Sequence, residues 1–363
     1  MKIEIGLKQL CDAVTTVARV VASKPQLPVL SNILLTAEPA GIRLSATDLE
    51  IGMSIFLPAK VEEVGKTTVP ARVFLDYITS ISGEKVLISE ESGKLQINAG
   101  TYKGQIQTIG ADEFPILPNG DGDGVELLAE KLSSTLGKVI YASAKDSLRP
   151  VLTGILFEMG ENKLKVVGTD GFRLALCEMK IKGGEKRNII VPARAVLEMM
   201  KLSKNEKVKL LYLEESKQIV LKTEDSVLMA QVLEGNFPDY TRILPKNFAL
   251  TFSVNREELL QVVKSVQIFA RDNSNVMRWS VGDGEVSAIG EAGDKGQGKA
   301  SCPAAIDQGE SSSVVFNAKY VMDFLTTSSC ENVKIGLGEA LAPGSFQEEG
   351  DEEYLYVVMP INA

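Results

Sequence analysis

The tetrapeptide Val69-Pro70-Ala71-Arg72 returns as Val191-Pro192-Ala193-Arg194 and, altered, as Phe316-Asn317-Ala318-Lys319. The copies are 122 and 125 residues apart. Solenoid repeats run to roughly 20–50 residues, so a period this long is a whole domain written three times. Each copy follows a β-branched lead-in (Thr67-Thr68, Ile189-Ile190, Val314-Val315) and opens a helical pattern. In all three the fourth residue after the basic one is acidic: Asp76, Glu198 and Asp323. Other segments repeat with the same period. Arg149-Pro150-Val151-Leu152 parallels Leu27-Pro28-Val29-Leu30, and Thr169-Asp170 parallels Thr47-Asp48. Phe237-Pro238 closes the second copy as Phe114-Pro115 closes the first. These matches divide the chain into domains 1-120, 121-246 and 247-363, joined at the Gly/Asp-rich 119–124 segment and at 245–247.

Each copy reads helix, strands, helix, strands. The first helical pattern, Leu7 to Ala22, carries Leu7, Leu10, Val14, Val17 and Val21 on one face. The strands follow one another and alternate in polarity, which predicts an antiparallel sheet with one covered face and two helices covering it. The fold class is therefore α+β. Helices are expected at 129–144 and 255–271, and strands at 85–89, 94–98 and 103–109. The Gly-, Lys- and Ala-rich stretch 290–301 reads as a loop or irregular edge.

The 363 residues contain no histidine, which removes Ser-His-Asp and Cys-His catalysis and His-ligated metal sites. The four cysteines are far apart and suit reduced thiols of a cytoplasmic protein. We expect no metal and no cofactor. The chain has no apolar run of about 18 residues and no hydrophobic leader, so we expect no membrane partner. Formal net charge is −9. The six helical segments together carry thirteen basic and seven acidic residues, so the helices are net basic and the rest acidic. That distribution fits a helical surface for phosphates, read without regard to base sequence.

Thr169-Asp170-Gly171-Phe172-Arg173-Leu174, Phe237-Pro238-Asp239-Tyr240, the two Val-Pro-Ala-Arg copies and Tyr356-Val357-Val358-Met359-Pro360 resemble the bacterial DNA polymerase III beta subunit, the sliding clamp, over essentially the whole chain. The resemblance implies a non-enzymatic processivity factor: a head-to-tail homodimer whose six domains form a ring around double-stranded DNA, helices inside. Elementary geometry agrees. Helices about 10 Å wide enclose roughly 19 Å when six stand side by side, too narrow for a duplex, and roughly 38 Å when twelve do. Implied partners are a second copy of the chain, the polymerase III alpha subunit, a clamp loader and other proteins with a clamp-binding motif. The implied setting is the bacterial cytoplasm, on the nucleoid. A loader with ATP would open the ring, since this chain has no Walker A motif.

Residue by residue, the resemblance assigns DNA contact to Lys24, Arg72, Lys145, Arg149 and Pro150. Around the last of these, Pro150 and Val151 stand where the family carries aromatics. It assigns the dimer interface to Ile106, Ile268 and Phe269. It assigns a partner-peptide cleft to Leu152, Thr169, Gly171, Phe172, Arg173, Leu174, Pro238, Arg242, Ile243, Val357, Val358, Met359 and Pro360. Phe172 replaces the family's usual histidine. Period two places Val357 and Met359 on one face of the last strand. Arg173 or Arg242 would bond peptide carbonyls, and only Ile361, Asn362 and Ala363 follow, which should leave the cleft mouth open. Two readings stand beside the replicative clamp: a duplicated clamp specialised for repair or drug resistance, and an enzyme built on a carboxylate at Asp170 or Asp48. Thr-Asp-Gly reads first as a turn, with Asp holding backbone N–H groups and Gly taking positive φ.

Overall fold

The computed structural model describes residues 1–22, 25, 27–146, 148–202, 207–339 and 341–362. Its helices are α1 (Leu7–Val17), α2 (Ala71–Ser80), α3 (Ala129–Ile140), α4 (Ala193–Leu202), α5 (Arg256–Ala270) and α6 (Ala318–Thr327). None is long and apolar enough to cross a membrane. The chain divides into two compact units, Met1–Ala129 with Lys201–Val232, and Glu130–Met200 with Leu233–Ala363.

In the first unit, an eight-stranded antiparallel sheet runs in the order 125–128, 207–213, 218–222, 226–231, 51–58, 41–47, 32–38, 65–70. Its middle joint pairs Ser226 with Ile55 and Leu228 with Met53. One continuous ladder thus takes strands from two of the sequence repeats. A five-stranded sheet (60–63, 2–6, 85–91, 94–99, 102–107) completes the unit. Helix α1 buries Leu7, Leu10, Ala13, Val14 and Val17, the face set by the three- and four-residue spacing. It stops at Val17 and tightens into a 3-10 turn over Ala18–Val20, short of the expected Ala22.

The second unit repeats the plan. A nine-stranded sheet runs 187–192, 154–159, 163–169, 173–180, 354–358, 344–348, 332–337, 250–255, 305–308, and a four-stranded sheet runs 297–303, 285–291, 276–282, 312–317. Here the joint pairs Leu174 with Val357 and Arg173 with Val358. The repeated tetrapeptide closes the same ladder each time: Asn32 faces Pro70, Gly154 faces Pro192, and Val276 faces Asn317. At the third copy Asn317 caps α6 by accepting the Lys319 N–H. Helix α3 ends at Ile140, four residues before the expected end.

The stretch 290–301 is a correction. It is mostly strand, within Glu285–Glu291 and Gln297–Pro303, with a single 3-10 turn between them. The inward positions of the second strand are small because α5 lies on them: a Cβ on Gly298 would sit 2.4 Å from the Phe269 ring. Small residues hid the alternation that marks a strand.

Candidate functional site

The segment Thr169–Arg173 is a turn built by its own side chains. Thr169 Oγ1 accepts from Gly171 N at 3.0 Å and donates to Arg173 O at 2.6 Å. Asp170 Oδ1 accepts from Phe172 N and Arg173 N at 2.9 and 3.0 Å. Gly171 holds φ +92°, as the turn reading requires. The first unit builds the same turn from Thr47 and Asp48, with Leu49 at φ +78° and no glycine. Asp170 and Asp48 are therefore occupied in turn geometry.

The turn presents Phe172 to solvent at 64% exposure while its carbonyl accepts Met359 N at 2.8 Å. Behind it Leu174 and Val357 are fully buried in an apolar cluster with Leu156, Val167, Leu176, Ile190 and Tyr240. Leu152, on the 3-10 turn Pro150–Thr153, and Thr169 and Val358 are buried as well. Met359 and Pro360 are half-buried. Pro238, Arg242 and Ile243 are exposed on the strap that leaves the second repeat, and Arg242 Nε bonds Asp239 at 2.8 Å. The cleft residues thus fall into a buried floor and an exposed rim of Phe172, Pro238, Arg242 and Ile243.

Arg173 does something other than meet a peptide carbonyl with its side chain. Its guanidinium is almost wholly buried and donates to Asp170 (3.0 Å), Asp323 (2.6 Å) and the Tyr141 carbonyl (2.7 Å). It stacks on the rings of Tyr141 and Tyr320. Burial alone would weaken its hold on the proton; the Tyr356 hydroxyl and the Asp323 and Asp170 carboxylates outweigh that and leave it held more firmly. With its donors committed, Arg173 fastens the turn to α6 and to the end of α3. Tyr141, Tyr320, Asp323 and Tyr356 were not among the expected site residues. The acid at the fourth position of every repeat was the one sequence signal that pointed to Asp323.

Of the residues assigned to DNA, Arg72 is exposed on the first turn of α2, and Lys145, Arg149 and Pro150 are exposed in the second unit. Lys24 lies outside the described residues. The Arg149 guanidinium lies over Gly171, 3.3 Å from where a Cβ would be, which brings it to the Thr169–Arg173 turn. The basic character of the helices is smaller than the count of residues gives. Lys131 pairs with Glu353 at 2.6 Å, and Lys138 with Glu348 at 2.6 Å and Asp351 at 2.7 Å.

Of the residues assigned to the dimer, Ile106 is 8% exposed and packs within its own domain. The alternation of its strand puts it on the face shared with Gly104, where a Cβ would lie 2.4 Å from the Tyr77 ring of α2. Ile268 is 62% exposed, and Phe269 is half-buried over Gly298.

The family models of the DNA polymerase III beta subunit match the chain in three parts: the N-terminal domain over residues 1–118, the central domain over 126–239 and the C-terminal domain over 241–362. The beta sliding clamp of Chlamydia trachomatis serovar D is 28% identical, with 99% of this chain and 87% of that protein aligned. That of Staphylococcus aureus is 26% identical over 94% of each. Among solved structures, the DNA polymerase III beta subunit of Thermotoga maritima superposes with a TM-score of 0.93 at 26% identity, covering 100% of this chain and 99% of that one. The subunit from Pseudomonas aeruginosa gives 0.93 at 27%, covering 100% of both. The fold and its three repeats are those of a DNA clamp. The chain belongs to the DNA polymerase III beta subunit family. It is accordingly a DNA sliding clamp, a processivity factor of the polymerase and not a catalyst.

Proposed function

We propose that two copies of this chain, head to tail, close a ring around duplex DNA and carry the replicative polymerase alpha subunit, a clamp loader and other motif-bearing enzymes at the Phe172 rim. Domains 1-120, 121-246 and 247-363 supply three sixths of the ring each time. The observation that carries the reading is the exposure of Phe172 on the turn next to buried Leu174, together with exposed Arg242 and Ile243 on the strap whose Tyr240 packs into the same cluster as Leu174 and Val357. Exposed apolar side chains, with a cation next to one of them on the strap, suit a short peptide with apolar anchors. The half-buried Met359 adds an adaptable contact for varied ligands. Arg72, Lys145 and Arg149 meet phosphates and confer no base preference. The setting is the bacterial cytoplasm, on the nucleoid.

The test is retention on plasmid. After loading with a bacterial clamp loader and ATP, the protein should remain on closed circular DNA and leave when the circle is cut. Equal retention on circular and linear DNA would refute tethering by topology.

A further inference from the structure

The two large sheets carry the same register and differ in what covers them. In the second unit Leu156 faces Val167, and Val167 faces Leu176. In the first, 122 residues earlier, Leu34 faces Ser45, and Ser45 faces Ser54. Over the second sheet lies Tyr240, 5% exposed, packed on Leu156, Val167 and Leu176, its hydroxyl donating to Glu158 at 2.6 Å. Tyr240 comes from the strap Phe237-Pro238-Asp239-Tyr240-Thr241-Arg242-Ile243-Leu244-Pro245. The strap of the first unit, Phe114-Pro115-Ile116-Leu117-Pro118, is four residues shorter and has no counterpart of Asp239 to Arg242. Where the tyrosine would lie there is a groove of about 220 Å³, floored by Leu34, Thr36, Ser45 and Ser54 and walled by Phe114 and Leu117.

We propose that this groove is a docking slot for one neutral tyrosine side chain presented by a partner polypeptide. Four observations support that occupant. The same place in the repeat is shaped around a tyrosine ring. The volume is below the roughly 300 Å³ at which pockets for whole small ligands begin, and suits a single side chain. A polar partner stands where the hydroxyl would fall: Thr36 occupies the place from which Glu158 bonds Tyr240, while Ser45 and Ser54, bonded to each other at 3.0 Å, would lie under the ring. The cations at the rim are already matched, Arg43 by Glu38 at 3.0 Å and Lys66 by Asp112 at 3.3 Å, so a neutral phenol is favoured over an anionic ring. Ile116, 98% exposed on the strap beside the groove, offers the partner's flanking residues an apolar contact.

The probe is the peptide acetyl-Pro-Asp-Tyr-Thr-amide, added to the full chain and followed by backbone-amide NMR and by crystal soaking. Shifts and density should fall at Thr36, Ser45 and Ser54. A phenylalanine version should bind about tenfold more weakly, the 1.4 kcal/mol of one hydrogen bond. A phosphotyrosine version should bind no better. Thr36→Val, which removes a hydroxyl from the groove, should weaken the tyrosine peptide about tenfold and leave the phenylalanine version unchanged; separately, Ser54→Phe, which fills the groove, should weaken both at least tenfold. Unchanged affinity in both variants, or density confined to the Phe172 rim, would overturn the proposal. Self-association that S54F abolishes would overturn its occupant, making the slot a contact between copies of the chain.

Discussion

Arg173 shows how much one buried charge organises. Its three guanidinium nitrogens reach Asp170, Asp323 and the Tyr141 carbonyl, groups on three different elements. Removing one partner of a buried ion pair leaves the others desolvated and unmatched, a loss of about 3–5 kcal/mol. We expect Arg173→Ala to lower the unfolding free energy, read from denaturant titration, by that much. Arg173→Lys should recover little, because an ammonium lacks the planar fork that serves three acceptors. A double-mutant cycle with Asp323→Ala measures the pair directly, and additivity of the two losses would show that Arg173 and Asp323 do not couple. The exposed residues of the site act differently. Phe172→Ala and Ile243→Ala should each weaken a Gln-Leu-x-Leu-Phe-type polymerase peptide about tenfold, roughly 1.4 kcal/mol, by titration. Neither should move the melting temperature. Unchanged affinity in both would place the peptide elsewhere.

At the scale of elements, the contact between α3 and the acidic 348–353 loop depends on pH at both ends. Burial pulls Lys138 down, but its bonds to Asp351 and Glu348 more than offset this and leave its pKa raised. Burial pushes Asp351 up, but Lys138 and the Glu353 N–H more than offset this and leave it lowered. A raised lysine contributes stability that is complete below its unfolded value, about 10.4, and is lost as pH climbs through the folded one. A lowered aspartate contributes above its unfolded value, about 3.9, and that contribution is lost as pH falls through the folded one. The contact should therefore hold fully between about pH 4 and 10 and weaken outside. The gap between the melting temperatures of the wild type and Lys138→Met should narrow as pH falls below about 4, and a gap that does not narrow would contradict the assignment. The two equivalent turns make a second comparison. Gly171→Leu should cost about 1–3 kcal/mol, the price of a bulky residue at positive φ. Leu49 already bears that conformation, so Leu49→Gly should change stability by about 1 kcal/mol at most.

For the whole molecule, the proposals concern assembly and DNA. The strands Tyr102–Gln107 and Gln297–Pro303 are outermost in their sheets, and each is capped by an aromatic ring from a helix lying over a glycine. Edges of this kind pair readily with another chain. We expect light scattering to read twice the 39.2 kDa of one chain. Ile268→Asp should shift that reading towards the monomer while leaving the fold intact. Ile106→Asp should instead destabilise the fold, because that side chain is in the core. A dimer untouched by Ile268→Asp would remove Ile268 from the interface. For DNA, replacing a phosphate-contacting cation lowers the slope of log affinity against log salt by about one, equally for every sequence. Arg72→Ala is expected to do this, and an unchanged slope would take Arg72 off the DNA.

Much of this protein was legible in its sequence because repetition and periodicity are local. A tetrapeptide returning after 122 residues marks a domain, three- and four-residue spacing sets the buried face of α1, and Thr-Asp-Gly writes its own turn. What the sequence could not decide is which distant groups meet. Lys138 and Glu348 are 210 residues apart and Arg173 and Asp323 are 150 apart, so no local pattern showed that these charges are matched inside the protein. Ile106 alternates as any strand residue does, and only the Tyr77 ring over Gly104 tells which side of its strand is in. The strand at 297–303 was invisible because Phe269 takes the volume that larger inward residues would have advertised. Two sheets of identical register, one filled by Tyr240 and one left with a groove, differ through four residues of strap. Their consequence lies in the volume above the sheet, a quantity that exists only once the chain has folded.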